Sequence, residues 1–154
     1  TGIFGTKLLI KVLCENGHSD LAFKLLSSKK ENTFYNMKKN GATTLWENWS
    51  GRDSRNHPMF GAVTKYIFMY LLGIRQPEDS VAYEKVTVAP CFVNGMNRAK
   101  GHITTANGVV SVEYEKNGNK ATVKVFADPK IKASFVYGGV STEFSGEKTF
   151  TVEI

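Results

Sequence analysis

Trp46, Glu47, Trp49 and His57 are the residues of this chain whose types and spacing suit chemistry, and all fall in the stretch GATTLWENWSGRDSRNH, residues 41–57. A carboxylate flanked by indoles has a specific physical use. Aromatic faces pack against the C–H faces of sugars, and apolar walls disfavour an ionised acid, so an acid held there keeps enough basicity to take a proton. That combination suits cleavage of a glycosidic bond. Plainer readings stand beside it: a loop glutamate is more commonly solvated, and Trp46 and Trp49 also fit one face of a turn buried in a core. His57, just ahead of Pro58, fits a capping or structurally bonded histidine. It equally fits a hydrogen-bond partner for sugar hydroxyls at a helix N-terminus, where loop ends commonly build sites. Asp53 and Arg52 read as an ordinary exposed pair.

The elements that must position this loop change character along the chain. Through residue 73 the apolar spacing is helical. Phe4, Leu8 and Val12, with Leu9 and Leu13 beside them, form one face of a first helix, opposite Lys7, Lys11 and Glu15. Asn16-Gly17 ends it. Ser19 is placed to cap a second helix, with Asp20 in its first turn and Leu21, Ala22, Leu25 and Leu26 as its stripe. A short third helix runs from about Thr33 to Lys39 and stops at Asn40-Gly41. The fourth begins at His57-Pro58 and extends to Gly73, with only Thr64 and Lys65 polar among a run that includes Phe60, Val63, Ile67, Phe68, Leu71 and Leu72. A helix that apolar has to be covered on most sides, which implies further helices or a partner.

After Gln76-Pro77-Glu78-Asp79 the period becomes two. Val86 and Val88, then Val110, Val112 and Tyr114, then Ala121, Val123 and Val125, and finally Phe150, Val152 and Ile154 alternate with polar residues. Asn107-Gly108 and Asn117-Gly118 fall between runs, as hairpin turns do. The spacing predicts an antiparallel β-sandwich over residues 80–154, following a helical part over residues 1–76.

Composition narrows the function classes. At 154 residues and 42% hydrophobic content, the chain has the material for a packed core. Its longest apolar run, Tyr66 to Leu72, is too short to span a bilayer, so no membrane role is expected. The net charge of +6 is spread over helices and strands alike, which argues for solvation and against nucleic acid. Cys14 and Cys91 show no metal-ligand spacing and read as buried thiols; no metal or cofactor is expected. The opening TGIFGTKLL has neither an initiator methionine nor a signal peptide and reads as the start of a piece of something longer.

TGIFGTKLL, the helix pair around GHSDLAFKLL, then NGATTLWENW and SRNHPMFGAVTKYIFMYLLGI together resemble the closing part of the catalytic domain of bacterial α-L-rhamnosidases, glycoside hydrolase family 78. The match runs over nearly all of residues 1–74. GATTLWENW with the downstream NHPMFG is highly specific, TGIFGT alone is weak, and the β-rich tail is similar to the family's C-terminal β-sandwich mainly in position and length. The resemblance implies the last helices of an (α/α)6 barrel, with the segment from Pro58 to Leu72 as an inner helix. It implies that Glu47 is the general base, that His57 is a sugar ligand, and that Trp46 and Trp49 line the rhamnose subsite. Asn48, where many members have arginine, and the short SGRDSR connection are departures that bear on aglycone contacts. A rhamnose-containing glycoside or polysaccharide is the implied substrate, and a bacterial, periplasmic or secreted parent is the implied setting.

Inversion at an anomeric carbon requires two carboxyl groups about 6.5–9.5 Å apart. Asp53 is the only other acid near Glu47 in sequence, and a short loop could bring it to that distance. The resemblance implies instead that the general acid comes from barrel loops preceding residue 1. The expectation is therefore a chain that holds the base without the acid, is inactive alone, and self-associates through helices whose partners lie in the missing N-terminal part of its parent. Two other readings remain: a carbohydrate-binding β-module using Tyr83, Phe92, Tyr114, Phe135 and Tyr137, and another (α/α)6 sugar hydrolase.

Overall fold

Helices come first and strands after, as the change of period predicts. The computed structural model describes residues 1–154, which divide into two compact units, Thr1–Tyr66 and Ile67–Ile154.

In the first unit α1 spans Ile3–Glu15, α2 Ser19–Leu26, α3 Phe34–Lys39 and α4 Val63–Tyr66. The face that α1 buries corrects the expected one. Thr6, Ile10 and Cys14 point inward, while Phe4, Leu8 and Val12 are 65%, 55% and 54% exposed. The inward row meets α2, α4 and the 58–62 turn, and Thr6 satisfies its hydroxyl by donating to the Gly2 carbonyl at 2.8 Å. Nothing in this chain covers the more apolar row. On α2 only Ala22 of the expected stripe is buried, and Leu21 and Leu25 are exposed. Ser19 does not cap: His18 holds the cap position without a side-chain bond, and Ser19 lies in the first turn, buried, its Oγ without a partner. Thr33 does cap α3, its Oγ1 accepting from the Asn36 backbone N–H at 3.2 Å.

The fourth helix is not continuous. Pro58–Ala62 forms a 3-10 turn, α4 follows, and Ile67–Leu71 winds as a π turn in which Leu72 N–H donates to the Ile67 carbonyl at 3.1 Å. Gly61 and the β-branched and aromatic residues that follow it have weak intrinsic helix preference, which suits a winding that is not regular throughout. The boundary between the units falls between α4 and the π turn.

The second unit contains eight strands: β1 Ile74–Arg75, β2 Lys85–Val88, β3 Arg98–Thr105, β4 Gly108–Asn117, β5 Lys120–Ala127, β6 Lys132–Tyr137, β7 Val140–Phe144 and β8 Gly146–Glu153. They form two four-stranded sheets, ordered β1-β2-β6-β7 and β3-β4-β5-β8. Every pair is antiparallel except β2 with β6, where Lys85 lies opposite Lys132 and Val88 opposite Phe135. That parallel pair departs from the antiparallel expectation. β6 returns beside β2 only after the chain has built β3, β4 and β5, and such a crossover permits the same direction where a hairpin would not. Two-residue turns join β3 to β4, β4 to β5 and β6 to β7; in the last, Gly138 and Gly139 take φ of 58° and 78°, as a tight hairpin turn demands.

The alternation places Val86 and Val88 of one sheet, and Val110, Val112, Tyr114, Ala121, Val123 and Val125 of the other, in one shared core. Phe150 and Val152 pack at its margin, and Ile154 lies beyond β8, exposed. Cys14 is a buried thiol as expected. Cys91 is only half-buried and lies in the loop after β2, not in a strand, its N–H donating to the Tyr70 carbonyl at 2.8 Å.

Candidate active site

The 41–57 stretch is a loop closed at its neck by backbone bonds. Glu47 N–H donates to the Ser54 carbonyl at 2.8 Å and His57 N–H to the Leu45 carbonyl at 2.7 Å, so the segments 45–47 and 54–57 run side by side. The Thr44 hydroxyl donates to the Arg55 carbonyl and reinforces that neck. Glu47 and His57 are thereby held on one narrow piece of backbone.

Trp46 anchors the loop from below. It is 5% exposed and shares a core with Met37 and Phe60. Its ring lies against Gly51, whose φ is +66°, and a Cβ added there would come within 2.6 Å of two ring carbons. Glycine is required at that position on both counts. The Arg55 guanidinium sits over the same ring, 5.3 Å from its centroid, and Arg55 Nε donates to the Gly51 carbonyl at 3.0 Å. Trp49 is half-buried, 4.1 Å from Phe60 and 5.3 Å edge-on from Phe34 by ring centroids, and its Nε1 donates to the Thr1 carbonyl at 2.6 Å. Trp46 therefore has no free face, whereas Trp49 keeps part of its surface open.

Glu47 is itself half-buried, and its Oε2 accepts from the Ser54 backbone N–H at 3.3 Å. This leaves the carboxylate acceptor capacity for a water. His57 precedes the 3-10 turn in extended conformation without capping it, and its Nδ1 is buried with no partner. An orphaned buried ring nitrogen is uncommon in a folded chain.

The expected Arg52–Asp53 pair is replaced by other bonds. Arg52 Nε donates to Ser50 Oγ at 3.3 Å, and Asp53 accepts from the Asn48 side-chain amide. Asn48 also accepts from the Ser50 hydroxyl at 2.7 Å and the Ser50 N–H at 3.1 Å, so it knots the tip of the loop. Gly51, Ser54 and Arg55 were not marked by residue type. Their signal was a glycine and an arginine within a turn-forming run beside a tryptophan, which states composition but not contact.

No group of three or more His, Cys, Asp or Glu residues is arranged to hold a metal ion. No helix is long and apolar enough to cross a membrane. Of the five aromatics considered for a carbohydrate-binding module, Tyr114 and Phe135 are 1% and 4% exposed, and Tyr83, Phe92 and Tyr137 pack against the core. They form no open stacking platform.

Residues 1–71 match the bacterial α-L-rhamnosidase six-hairpin glycosidase domain, and residues 73–136 match the bacterial α-L-rhamnosidase C-terminal domain. The chain belongs to the bacterial α-L-rhamnosidase family. It is 29% identical over 147 residues to an α-L-rhamnosidase of Alteromonas sp. (strain LOR), covering 88% of this chain and 16% of that protein. To one of Formosa agariphila it is 28% identical over 144 residues, covering 86% and 15%. Its fold matches the crystal structure of Streptomyces avermitilis α-L-rhamnosidase complexed with L-rhamnose with a TM-score of 0.88 at 23% identity, over 99% of this chain and 18% of that one. The chain thus spans about a sixth of the length of the curated relatives it matches.

Proposed function

We propose that this chain is the C-terminal part of an inverting α-L-rhamnosidase that removes terminal α-L-rhamnose from glycosides or polysaccharides. Residues 1–76 contribute the last helices of an (α/α)6 barrel and residues 80–154 the β-domain. Glu47 is the general base. His57 hydrogen-bonds the sugar, Trp49 offers its open surface to the sugar ring, and Trp46 holds the loop from the core side. The observation that carries this reading is the closed neck, which sets the half-buried Glu47 and the His57 backbone on adjoining segments in a chain of this family.

The chemistry follows from the donors present. Glu47 accepts a proton from a water as that water attacks the anomeric carbon, while a general acid protonates the departing oxygen. The family resemblance assigns that acid to a preceding part of a longer chain; Asp53 is held by Asn48 at the loop tip. The 154-residue chain alone is therefore inactive toward an aryl α-L-rhamnoside.

The test uses the longer enzyme. Glu47→Gln keeps the loop geometry and removes the basicity, so kcat is expected to fall by roughly 10²–10⁴-fold while rhamnose still binds. His57→Ala is expected to weaken binding and turnover together. NMR of the first product should show β-rhamnose before mutarotation. Initial α-rhamnose, or near-normal turnover by the Gln variant, removes Glu47 from the role of base.

A further inference from the structure

The outer face of the sheet β1-β2-β6-β7 carries a groove of about 770 Å3, within the size range of small-ligand sites. Its composition follows from register. In β2 and β6 the inward residues Val86, Val88, Ala133 and Phe135 are buried, which turns Lys85, Thr87, Lys132 and Ser134 outward. Lys85 lies opposite Lys132, Thr87 opposite Ser134, and Ser134 opposite Glu143. Thr87 and Ser134 are half-buried, and their hydroxyls bond to no other group of the chain. Pro77 and Pro129 add apolar rings to the lining.

Charge decides the kind of ligand. Lys85 is paired with Asp79, whereas Lys132 and Glu143 take part in no ion pair. A polyanion laid in this groove meets the Glu143 carboxylate, and a polycation meets two ammonium groups. A neutral sugar meets neither penalty: its hydroxyls accept from Lys132, donate to Glu143, and exchange either role with Thr87 and Ser134. Its C–H faces can rest on the proline rings. From this juxtaposition we infer that the groove is a binding site for a neutral oligosaccharide strand. The site uses none of Tyr83, Phe92, Tyr114, Phe135 and Tyr137 and none of the residues assigned to catalysis, so it stands or falls apart from the role of Glu47.

The experiment is an NMR titration of the 154-residue chain with two neutral tetrasaccharides, one of L-rhamnose and one of D-glucose, and with tetragalacturonate as the anionic counterpart. Saturable shifts at β2, β6 and β7 amides with either neutral probe, stronger than with tetragalacturonate, are expected. The double variant Thr87→Val with Ser134→Ala should weaken that binding about tenfold, two hydrogen bonds being lost. Glu143→Gln, at an exposed position, should weaken it by a smaller factor, and Glu47→Gln should leave it unchanged. The inference is overturned if neither neutral probe shifts these strands, if tetragalacturonate binds more tightly, or if the groove variants bind as the parent does.

Discussion

In β4 and β5 the residues Val110, Val112, Tyr114, Val123 and Val125 lie at 0–1% exposure, whereas on α1 the row Phe4, Leu8 and Val12 stands more than half exposed. Both regions carry clear periodic patterns, so the difference does not lie in pattern strength. A strand's inward face is completed by a second sheet reached through short turns, and both sheets lie within residues 67–154. A helix face is completed by whatever other helix lies against it, and for the α1 row this chain supplies none. The β unit is therefore closed on itself and the helical unit is open. An open apolar face on a chain in water marks a surface for association.

The largest test of that contrast is Trp46→Ala. Removing a buried indole is expected to cost the helical unit about 3–5 kcal/mol. Hydrogen exchange should accelerate at α1 to α4 while amides of β4 and β5 keep their protection. Equal loss in both regions would break the comparison, since the two would then share one stability.

Next in size is the pH response of the β core. Burial, with a smaller contribution from the neighbouring Cys91, pushes the Tyr114 hydroxyl up to about 12, and that hydroxyl has no partner. Below pH 10 the group is neutral folded and unfolded, so stability does not depend on it. Between pH 10 and 12 the unfolded chain ionises and the folded one does not, so stability falls by roughly 2 kcal/mol. Tyr114→Phe should abolish this alkaline loss in denaturant titrations and add about 1 kcal/mol at neutral pH by removing an unsatisfied hydroxyl. A variant that keeps the alkaline loss would place its origin in another group.

The smallest effect on stability belongs to the exposed row. Leu8→Gln is expected to change unfolding free energy by less than about 0.5 kcal/mol. Light scattering should nonetheless show less self-association. A parent chain that stays monomeric at high concentration would contradict the open-face account.

The same contrast explains what was legible beforehand. Period two named the inward valines of β2, β4 and β5 because alternate strand positions have only two places to go, and one must be buried. Period 3.6 named the apolar row of α1 but not its direction, because an apolar face is inward only where something covers it. Ser19 was misplaced by one residue at a helix start, where side-chain type alone does not distinguish the cap from the first turn. At the candidate site, Glu47 and His57 were visible as residue types in a specific motif. The neck that joins them, and the seating of Trp46 on Gly51 and Arg55, are tertiary contacts with no periodic trace.

The parallel pairing of β2 with β6 carries a consequence for the order of folding. β3, β4 and β5 meet through two-residue turns, so little chain entropy is lost in bringing them together. β2 has to wait for β6 across β3, β4 and β5, the longest closure among the strand pairs. The sheet β1-β2-β6-β7 is thus completed late. Pulse-labelled hydrogen exchange should find β4 and β5 amides protected before those that β2 and β6 exchange, and until then the inner valines of β4 and β5 have only solvent above them.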